Sequence, residues 1–139
     1  VGKKGFASRT DAPFVEYDFY CFSQGPVDVY TYVLPTYTLC TAQGYAGHER
    51  TGVETHYGVT IDNTRIIEPS TSSVEYAQNW YESVLRNSRI NKSTLYVPTP
   101  GHHKLRVICG DSGTVLQKVV LDFGGLKRSY MGPESTLVK

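Results

Sequence analysis

Between Lys104 and Cys109 the chain alternates its side chains with a period of two, a pattern that no helix can bury on one face. Leu105, Val107 and Cys109 fall on one side, Lys104, Arg106 and Ile108 on the other. Gly110-Asp111-Ser112-Gly113 then supplies turn chemistry, since Asp bonds its own backbone and Gly tolerates positive φ. Val115 to Phe123 follows as a more continuously apolar strand, expected at the centre of a sheet. The stretch reads as a hairpin of a β-sandwich.

The same period recurs upstream. Val15 to Phe22 places Val15, Tyr17, Phe19 and Cys21 on one face. After Ser23-Gln24-Gly25-Pro26, Val27 to Leu34 places Val27, Val29, Thr31 and Val33 inward. So short a link predicts that these two strands pair antiparallel. Thr55 to Asp62 is a strand, with Tyr57, Val59 and Ile61 on one face, and Arg65 to Glu68 its short return. From Ser72 to Asn87 the period becomes helical: Tyr76, Trp80 and Val84 recur every fourth residue with Ala77, Tyr81 and Leu85 alongside, and Ser72 with Glu75 has capping-box spacing. Asn91 to Val97 returns to strand before the Pro98-Thr99-Pro100-Gly101 turn. The expected fold is all-β: an antiparallel two-sheet β-sandwich, jelly-roll-like, with one short helix. Residues 1–13 read as a linker or edge segment and 14–139 as a single sandwich domain.

Charged residues make up 19% of the chain and the net charge is +1, which favours neither nucleic acid nor an acidic membrane surface as partner. No apolar run approaches the length of a membrane span. The chain starts Val1-Gly2-Lys3-Lys4 without a Met, as expected of a piece of a longer protein. Cys21, Cys40 and Cys109 include no Cys-x-x-Cys, and Cys21 and Cys109 sit in apolar strand patterns where a thiol behaves as a small hydrophobe. Buried thiols are expected rather than a disulfide framework. Eleven tyrosines suit half-exposed strands and surfaces that face sugar or protein.

Few residues point to chemistry. The long polar loop from Thr36 to Glu54 carries Tyr45 and the triplet His48-Glu49-Arg50, in which Arg could fork onto a sugar carboxylate. As a solvated loop tip it needs no function. Trp80 and Tyr81 could stack a sugar ring, although aromatic residues at helical spacing belong more often to a core. His102-His103 has no third metal ligand at diagnostic spacing and reads as a surface pair flanking a turn. Gly110-Asp111-Ser112-Gly113 lacks the Gly-x-Ser-x-Gly elbow of a nucleophilic serine. Asp62, Asp111 and Asp122 are the carboxylates nearest to a structural calcium site, and no EF-hand-like run supports one. The candidate binding residues are therefore Tyr45, His48, Arg50, Trp80 and Tyr81, with no catalytic or metal set and no cofactor.

Several segments in order resemble the C-terminal domain of glycoside hydrolase family 115. They are Val29-Tyr30-Thr31-Tyr32-Val33-Leu34-Pro35-Thr36, Tyr57-Gly58-Val59-Thr60-Ile61-Asp62, Trp80-Tyr81-Glu82-Ser83-Val84-Leu85-Arg86-Asn87, Pro100-Gly101-His102-His103-Lys104-Leu105-Arg106-Val107, Asp111-Ser112-Gly113-Thr114-Val115-Leu116 and Tyr130-Met131-Gly132-Pro133-Glu134-Ser135. The likeness runs from about Tyr17 to Ser135. Ser112 stands where that family has Pro, the tail has one Pro rather than two, and the Thr41–Glu54 loop looks longer than usual.

The resemblance implies a non-catalytic accessory β-sandwich from a xylan α-glucuronidase, whose catalytic machinery lies in other domains. It would support the catalytic domains, help dimer assembly or contact xylan. The alternative is a carbohydrate-binding module for xylan or a related plant polysaccharide, which requires aromatics such as Tyr45, Tyr57, Trp80 and Tyr81 at the surface. The partners implied are the catalytic domains of the parent enzyme, glucuronoxylan oligosaccharides and a homodimer through the parent. An extracellular or periplasmic location follows from the polysaccharide substrate.

Overall fold

The computed structural model describes residues 12–35, 57–69, 78–110, 114–127 and 129–136, and of Asn79 and Trp80 only the backbone. Among the described residues, six strands and a helix follow in the order β1 (Phe14–Cys21), β2 (Gly25–Val33), β3 (Tyr57–Ile61), α1 (Gln78–Arg86), β4 (Arg89–Val97), β5 (Gly101–Cys109) and β6 (Leu116–Asp122). They form two three-stranded sheets, in the orders β1-β5-β3 and β4-β2-β6, with every pair antiparallel. The expected two-sheet sandwich with one short helix is what the chain forms.

The alternation fixes which side chains meet between the sheets. Val27, Val29 and Val33 of β2 and Leu95 and Val97 of β4 pack against Val59 and Ile61 of β3 and Leu105 and Val107 of β5. Full burial of each such side chain contributes about 1.5–3 kcal/mol. Tyr57, Cys21 and, from β6, Leu116, Val119 and Leu121 complete this layer. At its lower end the layer is polar. The Tyr57 hydroxyl lies 2.5 Å from Thr31 Oγ1 and accepts from Asn91 Nδ2 at 2.7 Å.

Strand pairing differs from the sequence expectation in three places. β1 and β2 do not pair: Cys21 faces Gly101 of β5, while Gly25 faces Val97 of β4. The short Phe22-Ser23-Gln24 link passes from one layer to the other. β5 and β6 likewise form no hairpin, since β5 is the centre of one sheet and β6 an edge of the other. The tail covers the outer side of β6, where Val120 is buried. There Lys118 Nζ donates to the Met131 and Pro133 carbonyls at 2.9 Å each, and Gly132 sits against Tyr32. The return strand expected at Arg65–Glu68 reduces to one bridge, Ile67 with Val59.

The helix ends where its residues require. Asn87 takes φ 53°, its N–H donates to Val84 O at 3.0 Å, and Ser88 N–H donates to Ser83 O at 3.0 Å. This is a Schellman cap, with Asn in the left-handed position. The capping-box residues Ser72 and Glu75, with Tyr76, lie outside the described residues, as do the 111–113 turn, the 1–11 segment and Cys40.

Candidate functional site

Tyr45, His48 and Arg50 lie outside the described residues, and so does the side chain of Trp80. Tyr81 is on the exposed side of α1. Tyr57 is fully buried in the core, which removes it from any sugar-facing set. The helical stripe also departs from expectation: Val84 is half exposed and Leu85 is 80% exposed, while Ser83 is the buried residue of that turn. α1 therefore presents apolar side chains outward.

These side chains join others from the tail. Tyr130 donates its hydroxyl to Leu85 O at 2.7 Å, and the Arg86 guanidinium stands 6.0 Å from the Tyr130 ring centroid. Met131, next along, is 71% exposed. Tyr81, Val84, Leu85, Tyr130 and Met131 thus gather on α1 and the tail that it touches, at the end of the sandwich where β4 begins.

A second exposed set lies at the opposite end, on the outer face of the β1-β5-β3 sheet. Tyr20 is the register partner of His102, and their ring centroids lie 5.0 Å apart at 82°. Phe22 is also 5.0 Å from Tyr20, at 64°, and is 88% exposed. Next down this face comes a charged ladder. Glu16 accepts from both Lys104 and Arg106, and Lys104 Nζ lies 3.5 Å from Asp18 Oδ1. These two cations hold the Glu16 carboxyl below its ordinary value. Arg106 continues to Asn63 Oδ1 at 2.8 Å and covers the Phe14 ring at 4.3 Å.

His103 is not the surface residue that its neighbour suggests. It is 6% exposed, on the inner face that Leu105 and Val107 continue. Its Nδ1 lies 2.6 Å from Asp62 Oδ2 and its Nε2 lies 2.7 Å from Thr99 O. The hydrogen bond to Asp62, then that to the Thr99 carbonyl, raises its pKa above the ordinary 6.5. Asp62 is further engaged, with Oδ1 accepting from Lys104 N at 2.9 Å. Asp122 Oδ1 accepts from Gly124 N at 2.8 Å, and Asp111 lies outside the described residues. Among the described residues, no three of His, Cys, Asp and Glu converge as a metal set, and no helix is long and apolar enough to cross a membrane.

Sequence reasoning missed Tyr20 and Phe22. The signal was present: on a strand whose inner face carries Phe19 and Cys21, two further rings point outward, and the second stands at the start of a turn.

A search of curated proteins finds no match. Among solved structures, the chain is similar to a family GH115 4-O-methyl-α-glucuronidase, BtGH115A, reported with specificity for decorated arabinogalactans. The TM-score is 0.68 at 22% identity, over 82% of this chain and 14% of that one, a likeness that shows the fold. The chain thus spans about one seventh of the length of that relative. The family model for the glycosyl hydrolase family 115 C-terminal domain matches residues 2–135. With nearly its whole length matched, the chain belongs to the glycosyl hydrolase family 115 C-terminal domains.

Proposed function

We propose that this domain is the accessory C-terminal sandwich of a family 115 α-glucuronidase and that it docks on the remainder of its own enzyme through α1 and the tail. The supporting observation is the exposed set Tyr81, Val84, Leu85, Tyr130 and Met131. Leu and Met so far exposed give this fold almost no stabilisation, and contiguous apolar surface of this kind marks an interaction site. The occupant is the part of the enzyme that supplies the chemistry, because a domain of this family is tethered to it. Its task is support: holding the catalytic part in place while that part removes a glucuronic acid branch from a polysaccharide outside the cytoplasm.

The test uses the whole enzyme with Leu85→Asp and Met131→Asp. Docking predicts a lower melting midpoint for the enzyme and easier proteolysis between its domains, while the 139-residue chain alone melts unchanged. An enzyme that keeps its midpoint and its protease pattern overturns the reading. A change confined to sedimentation behaviour would assign the surface to a second copy, the dimer contact, instead.

The carbohydrate-binding alternative loses Tyr57 to the core. What favours a sugar contact is the other set of rings, at Tyr20, Phe22 and His102.

A further inference from the structure

The outer face of the β1-β5-β3 sheet carries rings that the core does not use. Tyr20 is half exposed, Phe22 almost wholly so, and His102 is exposed, yet the three are packed into one continuous aromatic surface with both outer rings steep to the Tyr20 ring. One register step along, on the same face, stands Asp18, with its side chain 77% exposed. Two residues along a strand span about 7 Å. A carboxylate at that distance lies within reach of the hydroxyls of a ring seated on Tyr20.

We propose that Tyr20, Phe22 and His102 form a subsite for the pyranose ring of a neutral sugar in a polysaccharide, with Asp18 accepting its hydroxyls. A pyranose has a face of C–H bonds that packs on an aromatic ring and a rim of O–H donors that a carboxylate accepts. The composition of the face separates this ligand from a protein partner. The exposed apolar set on α1 and the tail includes Val84, Leu85 and Met131, whereas the neighbours of Tyr20 on this face are the rings of Phe22 and His102 and the Glu16, Asp18, Lys104 and Arg106 ladder. The ladder also separates a neutral sugar from a uronate. Lys104 and Arg106 are already paired with Glu16 and Asp18, so the face offers no uncompensated cation to a carboxylate. Next to His102, Gly101 holds positive φ, and a Cβ built on it meets nothing within 4 Å.

The inference rests on the reading of this domain as part of a polysaccharide-acting enzyme, but not on the docking of α1. Its test is a titration of the 139-residue chain with a neutral arabinogalacto-oligosaccharide, a neutral xylo-oligosaccharide and free glucuronate, followed by NMR and calorimetry. Saturable shifts at Tyr20, Phe22 and His102 are expected with a neutral oligosaccharide. Phe22→Ser should weaken binding at least about ten-fold, the worth of one good aromatic contact, without unfolding so exposed a position. Asp18→Asn should weaken it less. Absence of saturable binding at millimolar sugar, binding unchanged in Phe22→Ser, or glucuronate bound as well as the neutral sugars would each overturn the proposal. Leu85→Asp keeps sugar binding whether or not α1 docks, so the two readings fail separately.

Discussion

His103 Nδ1 lies 2.6 Å from Asp62 Oδ2, while the other ring nitrogen faces the Thr99 carbonyl at 2.7 Å. Both partners are acceptors, so the ring satisfies them only with a proton on each nitrogen. An imidazolium at this position joins the end of β3, the β4–β5 turn and the start of β5. The folded pKa is raised above the ordinary 6.5 by the Asp62 bond first and the Thr99 bond second. A group raised on folding contributes stability that is fully present below its unfolded value and is lost as pH rises through its folded value. The melting midpoint should therefore fall as pH climbs above 6.5. Midpoints measured across that range should lose most of this slope in His103→Gln; an equal slope in the variant would assign it to another group.

Tyr57 carries its hydroxyl into the core, between Thr31 and Asn91. Burial pushes the phenol pKa up, against the smaller opposing effect of those two hydrogen bonds. Tyr57→Phe keeps the ring and strands two buried polar side chains. The expected cost is about 1–3 kcal/mol. Urea unfolding should show a lower midpoint at unchanged slope.

Gly58 lies under Ile66. A Cβ at this position would come 2.8 Å from Ile66 Cγ2 and 3.7 Å from Ile108 Cβ. Gly58→Ala should displace the 62–68 segment that folds back over β3, at about 1–3 kcal/mol by thermal unfolding. Gly25→Ala meets open space instead, and its cost should come only from the φ of 147°.

Cys21 is sealed in the core, and its thiol donates to the Ser23 carbonyl at 2.8 Å. Alkylation of Cys21, followed by mass spectrometry of the peptide that contains it, should be slow in the native protein. It should become fast only when denaturant opens the sandwich.

The faces of the strands were legible in the sequence; their partners were not. Period two assigned Val27, Val29, Thr31 and Val33 to the interior, and all four are buried. It says nothing about which strand lies beside β2. A three-residue link such as Phe22-Ser23-Gln24 suits a hairpin, but it serves equally to step between layers about 10 Å apart. The apolar run of β6 suggested a central strand because the cover provided by the tail, through Lys118 and Gly132, leaves no periodic mark. His103 was legible in principle: Leu105 and Val107 define the inner face, and two residues back along it stands His103, which adjacency to His102 disguised. The outward apolar side of α1 was hidden for a different reason. A helical stripe reports that a face will be covered, not whether the same chain covers it.

Successive strands alternate between the two sheets along the whole described chain. No strand can zip onto the one just made. The paired residues of different strands nearest in sequence are Ile61 and Leu105, and β1 waits for β5. Each ladder must first close a loop of dozens of residues, an entropy cost that comes before any reward. During synthesis, β1 and β2 emerge as unpaired strands and stay so until β4 and β5 follow. Folding is expected to be slow, late and all at once. A ribosome-bound chain stopped before Arg89 should hold no sheet of either layer.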